Sequence, residues 1–240
     1  MRWPQETPPP SHKGSTMNNP TRLNAETTGM SVMVNEIKKP VLLTLVLLII
    51  CGLAYPVLMT GLSQAIFPEK ANGSLIEVNG HAVGSKLVGQ AFTDARFMKC
   101  RPSAYNYNTY TQADRDSGSY AGVASGSQNF GPTNPALAER VEKDLEEFLR
   151  NNPSVSKEDI PTDLLTASGS GLEPYISPAA AAIQIPAMAE ATGLSKERLE
   201  AIVKRHTRGK FLGIFGGETV NVLMVNLDIA GELGLLQTSR

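Results

Sequence analysis

The chain has 240 residues, of which 41% are hydrophobic, and a formal net charge of -1. This length and composition allow one substantial core, while the near-neutral charge argues against the clustered basic surface that nucleic-acid binding requires. The two cysteines, Cys51 and Cys100, and the scattered histidines lack the spacing of metal ligands. We therefore expect neither a nucleic-acid-binding protein nor a zinc protein, and we assign no metal site.

Residues 1–35 are rich in Pro, Thr and Asn and have no apolar periodicity. Such a segment cannot bury enough apolar surface to offset the entropy of ordering it. We predict that residues 1–35 form a disordered cytoplasmic tail, and Met30 and Met33 are alternative candidates for the first residue of the chain.

A strongly apolar run without any charged side chain occupies residues 41–62. At 1.5 Å per residue, a helix over this run spans about 33 Å, which is enough for a bilayer core of roughly 30 Å. The alternative of a cleaved signal peptide is disfavoured because its apolar region is usually only about 7–15 residues long. The sequence therefore predicts a transmembrane anchor over residues 36–67, so a disulfide between Cys51 and Cys100 is not expected.

Lys38 and Lys39 immediately precede the apolar run. By the positive-inside tendency they place the N-terminus in the cytoplasm, which leaves residues 68–240 as one extracytoplasmic domain. Pro56 lies within the run and is expected to distort the helix. Two interpretations of this proline remain open, a kink in an isolated anchor and a docking point for other transmembrane helices.

The strand signals lie at the two ends of the predicted domain. Residues 75–78 and 86–92 have β-type patterns, and the Asn79-Gly80 pair between them is a hairpin signal. Residues 219–229, TVNVLMVNLDI, are apolar on both faces, which predicts a central strand.

Three helices are predicted from capping residues followed by apolar positions at helical spacing. Pro135 and Pro178 each stand at the first helical position of one helix, Gly193 closes the second helix, and Pro186 should kink or shorten it. Strands together with these helices predict an α+β fold, with a single N-terminal transmembrane helix followed by one mixed α/β domain. The predicted N-cap residues are Asn134, Ser177 and Ser195.

Residues 101–132 form a long stretch without clear periodicity. Such stretches are uncommon in compact domains unless they bind something or are mobile. The Tyr, Ser, Gly and Asn content is typical of recognition surfaces. A binding loop and a solvated loop both remain open at this point.

The stretch TASGSGLEPYISP, residues 166–178, is the best place to look for catalysis. It lacks the Gly-x-Ser-x-Gly frame of a nucleophile elbow and the Gly-Lys-Ser/Thr of a phosphate-binding loop. His206 is a lone histidine on a helical stripe, which is usually structural. We assign no catalytic residue and interpret the stretch as a structural turn that leads into the second helix.

Six blocks in one order carry a resemblance to a known family: YPVLMTGLSQAIFPEKANGSL, LVGQAF, RPSAYNYN, SGSQNFGPTNP, DLLTASGSGLEPYISPAAAAIQIP and VNVLMVNLD. Together they resemble the C subunit of the Kdp-type potassium-transporting P-type ATPase of bacteria, over roughly residues 36–229. Two blocks depart from the family: its Ser-Gly-Gly-Ser-Asn-Leu is replaced here by SGSQNF at residues 125–130, and its acidic-polar pair after Gly-Leu appears as Glu173 with Tyr175 two places on. The first departure weakens any glycine-dependent nucleotide contact carried over from the family.

The resemblance implies a non-catalytic accessory subunit in the bacterial inner membrane. It implies three partners: an ATP-hydrolysing subunit, a channel-like potassium-binding subunit and a small membrane peptide. It also implies that the subunit is needed for assembly of the pump and acts as a catalytic chaperone, which raises the affinity of the ATP-hydrolysing subunit for ATP. No tightly bound cofactor is expected, since ATP and potassium act through the complex.

The alternatives are a single-pass ligand-binding or sensory module and, less favoured, an anchored hydrolase that uses Ser168 or Ser170. The residues expected to contact partner subunits are Pro56, Arg101, Tyr105, Asn106, Gln128, Asn129, Asn134, Ser168, Gly169, Ser170 and Gly171.

Overall fold

The structure, a computed structural model, describes residues 36–118 and 122–236. The predicted tail over residues 1–35 lies outside the described residues. The chain divides into two units, with the boundary between Ile66 and Phe67.

The described part of the first unit is a single helix, α1, which runs through Glu36–Ile66 and has 31 residues. It is the one helix of the described chain that is long and apolar enough to cross a membrane. At its start, Lys39 Nζ lies 3.4 Å from Glu36 Oε1 on an exposed face. The long apolar helix predicted from the sequence is therefore present.

The turn before Pro56 is a π turn rather than a break in α1. The π turn covers Ile50–Ala54, and Tyr55 donates its N–H to the carbonyl of Ile50, five residues earlier. A proline has no N–H and its ring crowds the carbonyl four residues before it. The wider turn relieves that crowding, so the helix continues through Pro56 as Tyr55–Ile66.

The second unit begins with the short helix α2, Pro68–Ala71, and a hairpin of β1, Leu75–Val78, and β2, His81–Ser85. The turn residues Asn79 and Gly80 have φ of 53° and 80°, as a two-residue hairpin of the type I′ class requires.

The hairpin turn is thus confirmed, but the prediction that residues 86–92 form its second strand is wrong. A two-residue turn makes the chain pair again at once, and Val78 lies opposite His81. The second strand therefore uses the residues directly after Gly80, HAVGS, and ends at Ser85.

A second sheet has three short antiparallel strands in the order β3-β5-β4. Strand β3 is Tyr175–Ile176, β4 is Thr207–Arg208 and β5 is Thr219–Asn221. Val220 of the central strand pairs with Ile176 on one side and Thr207 on the other, and its side chain is completely buried.

The predicted helix starts are confirmed by their capping bonds. Asn134 Oδ1 accepts from the N–H of Ala136 at 3.0 Å, and the hydroxyls of Ser177 and Ser195 accept from the third residue of their helices at 3.0 and 3.2 Å. As expected from Pro186, the second predicted helix is split in two. The helices after α2 are α3 (Gln112–Asp116), α4 (Pro135–Asn151), α5 (Pro178–Ala182), α6 (Ile185–Thr192), α7 (Lys196–Arg205) and α8 (Val222–Glu232).

The prediction of one central strand over residues 219–229 is wrong, because only its first three residues form β5 and the rest begin helix α8. Asn221 ends the strand and caps the helix, its Oδ1 accepting from the N–H of Met224 at 3.1 Å. An apolar run of this kind fits a helix that is buried on every side as well as a central strand, and periodicity cannot separate the two. Val222, Val225 and Ile229 are all completely buried.

The core of the second unit joins these helices to the three-stranded sheet. Met98 belongs to this core and is completely buried although it lies outside every helix and strand. The other fully enclosed apolar side chains include Ala180, Ala181, Leu199, Ile202, Val220, Val222, Val225 and Ile229.

Two buried carboxamides hold the backbone around Met98. Asn226 Oδ1 accepts from the N–H of Met98 at 2.8 Å and its Nδ2 donates to the carbonyl of Met98 at 2.8 Å. Gln184 binds the next residue in the same way, since Oε1 accepts from Lys99 N–H at 2.8 Å and Nε2 donates to its carbonyl at 3.3 Å. These amides give the buried backbone the hydrogen bonds that a neighbouring strand would otherwise supply.

We predict that Asn226→Ala lowers the free energy of unfolding by about 2–5 kcal/mol, because it leaves both backbone groups of Met98 buried without a partner. Asn151→Ala is the matched control, since the exposed amide of Asn151 only donates to Glu147 within α4. We expect this control to cost less than about 0.5 kcal/mol. Urea unfolding followed by near-ultraviolet circular dichroism compares the two, and equal losses would contradict the role of Asn226.

Candidate partner-contact site

Three loop segments, residues 101–108, 124–130 and 166–173, meet on the second unit, and we call them the loop cluster. Backbone hydrogen bonds join them directly. Ser168 N–H donates to the carbonyl of Pro102 at 3.0 Å, and Gly126 N–H donates to the carbonyl of Ser170 at 2.8 Å. The cluster therefore brings together parts of the long Tyr/Asn loop and the Gly/Ser turn that are far apart in sequence.

Arg101 is the main charged residue within the loop cluster. Its Nη1 lies 2.9 Å from Glu173 Oε2, and its Nη2 lies 3.3 Å from Thr166 Oγ1. The guanidinium thus bridges both ends of the segment 166–173 while it remains half-buried. Arg101, which the sequence suggested as a partner contact, already has its charge paired inside the domain.

Tyr107 is buried beside Arg101 and was not among the residues selected from the sequence. Its hydroxyl donates to the carbonyl of Arg101 at 2.6 Å, and burial raises the pKa of the phenol. A Cβ at Gly89 would lie 2.6 Å from Tyr107 Cε1, so only glycine fits against the ring. The sequence offers only the alternation Tyr-Asn-Tyr-Asn at residues 105–108, which does not show which ring is buried.

Three consecutive residues adopt left-handed backbone conformations. Asn106, Tyr107 and Asn108 have φ of 46°, 54° and 54°, which costs about 1–2 kcal/mol for each non-glycine residue. Asn108 offsets this cost, since its amide donates to the carbonyl of Ala124 and accepts from the N–H of Ala124, both at 3.0 Å. Backbone strain of this kind persists only where surrounding contacts fix the loop.

The Gly/Ser turn at residues 168–171 has an inner and an outer side. Ser168 is 1% exposed, and Gly171 is also buried and accepts at its carbonyl from Ser103 Oγ at 2.6 Å. Gly169 and Ser170 are exposed at the tip of the turn. This geometry agrees with the structural interpretation of the stretch, and Ser168 and Gly171 have no surface with which to touch a partner.

No histidine hydrogen-bonds Ser168 or Ser170 in the part of the chain that the structure describes. Ser168 Oγ lies 3.2 Å from Ser170 Oγ, so each hydroxyl contacts the other. His206 Nε2 instead lies 2.7 Å from Asp228 Oδ2 at the end of α7. Neither serine therefore has the adjacent base that a serine nucleophile needs.

The exposed face of the loop cluster is rich in amides. Asn106, Gln128 and Asn129 are exposed, and Gln128 and Asn129 line an open depression of about 400 Å³ against α4. Arg140 also lines this depression, and its Nη1 donates to Asp144 Oδ2 at 2.6 Å.

Three sequence-selected residues remain, Tyr105, Asn134 and Pro56. Tyr105 is half-buried in the cluster, and the side chain of Asn134 is used in capping α4. Pro56 belongs to the other unit. The structure thus brings together nine of the eleven selected residues, leaving out Pro56 and the capping residue Asn134.

Comparison with known proteins identifies the family. The family described as "KdpC: K+-transporting ATPase, c chain" matches residues 37–231. The chain belongs to the KdpC family. The resemblance inferred from six sequence blocks is therefore confirmed, and the chain is the KdpC subunit of a potassium-transporting ATPase and is membrane-associated.

Relatives in this family are similar along nearly their whole length. A protein of Clostridium kluyveri named "Potassium-transporting ATPase KdpC subunit" is 66% identical over 206 residues, which cover 86% of this chain and 98% of that protein. A protein of the same name from Clostridioides difficile is 58% identical, and the match covers 83% of this chain and 99% of that protein. A third protein of the same name, from Caldanaerobacter subterraneus, is 43% identical, and the match covers 84% of this chain and 97% of that protein.

Gly171→Ala is expected to destabilise this KdpC-family domain by about 2–4 kcal/mol. Gly171 has φ of 67°, and an added Cβ would lie 2.8 Å from the carbonyl oxygen of Gly126. Gly169→Ala is the matched control, because a Cβ there meets nothing within 4 Å, and its effect should stay within about 0.5 kcal/mol. Thermal unfolding of both variants measures the difference, and an unaffected Gly171→Ala protein would show that the turn is not closed as described.

The thiol of Cys100 should react slowly with iodoacetamide while the domain is folded. Burial raises the pKa of Cys100 to about 12, so the thiolate fraction at pH 8 falls by about a thousandfold relative to a free cysteine. In a Cys51→Ala background, we expect the alkylation rate to keep rising about tenfold per pH unit up to at least pH 10. In denaturant the rate should level off near pH 9, and a similar plateau in the folded protein would contradict the burial of this thiol.

Proposed function

We propose that this KdpC-family chain is a non-catalytic accessory subunit of a high-affinity, ATP-driven potassium uptake pump. In this proposal it is needed for assembly, and it acts as a catalytic chaperone that raises the ATP affinity of the ATP-hydrolysing subunit. The observation that supports it most directly is the loop cluster, whose segments are hydrogen-bonded to one another and yet present an exposed face of amides. Such a surface suits recognition of another protein.

The chemistry of the described residues supports a non-catalytic role. The serines of the turn have no adjacent base, and the thiol of Cys100 is protonated at neutral pH. The guanidinium of Arg101 is engaged by Glu173 rather than directed toward a substrate. No group in the loop cluster is prepared for nucleophilic attack or proton transfer.

The proposed arrangement places α1 across the bacterial inner membrane with its N-terminus in the cytoplasm. Lys38 and Lys39 precede the apolar run and support this orientation by the positive-inside tendency. The second unit then lies outside the cytoplasm and faces the channel-like potassium-binding subunit. Gly52 and Gly61 leave small surfaces on α1 at which other transmembrane helices, the small membrane peptide included, can approach closely.

An extracytoplasmic domain cannot touch ATP, so its effect on ATP affinity must travel by conformational coupling. A subunit that binds one state of the pump more tightly than another shifts the equilibrium between the states. If that state also binds ATP more tightly, the apparent affinity for ATP rises by the coupling energy alone. Neither ATP nor potassium needs a site of its own on this chain.

Within this proposal the exposed amides make the partner contact and the buried residues hold them in position. Gln128, Asn129, Asn106 and Ser170 form the contact face, with Gly169 at its edge. The half-buried Arg101 and Tyr105 and the inner residues Ser168 and Gly171 support that face from below. A membrane-anchored sensory module that binds a small solute in the depression of about 400 Å³ is the alternative.

We predict that Gln128→Ala weakens the contact with the pump about fivefold, since one interfacial hydrogen bond contributes about 1 kcal/mol. The expected results are less of this subunit co-purifying with the ATP-hydrolysing subunit and a higher apparent KM for ATP. The maximal rate of potassium-stimulated ATP hydrolysis at saturating ATP should change little, because no catalytic group is altered.

Glu146→Ala, on the exposed face of α4, is the control and should behave like the unaltered chain. If Gln128→Ala leaves both co-purification and the KM unchanged, the contact face lies elsewhere. If purified full-length chain instead binds a small solute and no pump subunit, the sensory alternative is favoured.

A further inference from the structure

The connection between β4 and β5 carries a run of large apolar side chains that are left uncovered. Phe211, Leu212, Ile214 and Phe215 are 61%, 74%, 75% and 62% exposed. We call residues 211–215 the apolar tip. Single exposed apolar residues are ordinary on a protein surface, but four adjacent ones form a patch that usually marks a membrane or partner surface.

The apolar tip is a folded turn rather than an irregular loop. Phe211 and Phe215 exchange two backbone hydrogen bonds, of 2.8 and 2.9 Å, across the turn. Gly213 N–H donates to the carbonyl of Lys210, and Ile214 N–H donates to the carbonyl of Phe211. Most N–H groups of the tip are thus satisfied within the turn, which is the condition under which a backbone can enter an apolar medium at low cost.

Basic residues surround the base of the tip. Lys210 and Arg208 directly precede it, and Lys204 and Arg205 end the helix α7 that leads into it. Arg205 is paired with Asp228 at 3.2 Å. Besides Asp228, the acidic residues on this side include Glu218, which follows the tip, and Glu200, and both line the same groove as Lys204. An apolar tip with basic flanks matches the chemistry of an anionic lipid surface.

The covalent link between α1 and the second unit favours a bilayer as the surface that the apolar tip contacts. Helix α1 can cross a membrane, and the second unit begins at Phe67, the residue that follows its last residue. This covalent link keeps the second unit close to a lipid surface, so a weak interfacial contact is enough to be populated. We propose that the apolar tip inserts into the interfacial layer of the bilayer that α1 crosses, while Lys210 and Arg208 contact anionic headgroups.

The proposal is tested on the full-length chain reconstituted without other pump subunits. Vesicles contain phosphatidylcholine and phosphatidylglycerol, with or without bromine near the upper part of the acyl chains. The single tryptophan, Trp3, is replaced by phenylalanine, and Ile214→Trp places one indole on the tip. Val123→Trp in the same background is the matched control, because Val123 is an apolar residue outside the tip that is 81% exposed.

We expect brominated lipid to quench the indole at position 214 strongly and to leave the indole at position 123 nearly unchanged. Adding Lys210→Glu should reduce the quenching at position 214 in vesicles that contain phosphatidylglycerol and change it little in phosphatidylcholine alone. Circular dichroism confirms that each variant is folded.

Absence of quenching at position 214, or equal quenching at both positions, would overturn the proposal. If the indole at position 214 is shielded from acrylamide only when the other pump subunits are present, the tip binds protein instead of lipid. That outcome also overturns the proposal. None of these results depends on Gln128, so failure here is distinguishable from failure of the proposed pump contact.

Discussion

A buried backbone must have its hydrogen bonds satisfied, and in the second unit this requirement is met largely by side-chain amides. The sheets are short, and Met98 lies in the core outside every strand. Asn226 and Gln184 pair with Met98 and the next residue in the way that a neighbouring strand would. Asn108 does the same for Ala124 in the loop cluster.

These amides make the loop cluster a continuation of the core. Asn226 of α8 hydrogen-bonds to Met98, and Gln184, which lies between α5 and α6, hydrogen-bonds to Lys99. The loop cluster begins at Arg101, only two residues after Lys99. Arg101 then connects to Glu173 and Thr166, which ties the Gly/Ser turn to the same rigid base. The segments that carry the exposed amides are therefore ordered without a partner, which in the proposed contact lowers the entropy lost on binding.

Apolar surface is distributed unevenly along the chain. The helices and central strand of the second unit cover theirs, as Val220 and Ile229 illustrate. Two uncovered apolar runs stand apart from single exposed residues such as Leu87: helix α1, whose length and composition suit a bilayer, and the apolar tip at residues 211–215. A membrane subunit needs apolar surface where lipid is its solvent, so the two exceptions are consistent with one environment.

The sequence by itself determined the local features, because their causes lie within a few residues. The apolar length of α1, the Asn79-Gly80 turn and the caps at Asn134 and Ser177 all follow from short-range sterics and hydrogen bonds. The family, too, was recognisable from short blocks in a fixed order. Only the tertiary structure decided that residues 222–232 are a helix, since an apolar run satisfies either element until its neighbours are known. It alone paired Asn226 with Met98 and buried Tyr107 against Gly89, because those contacts join residues far apart in sequence and depend on how the whole core packs.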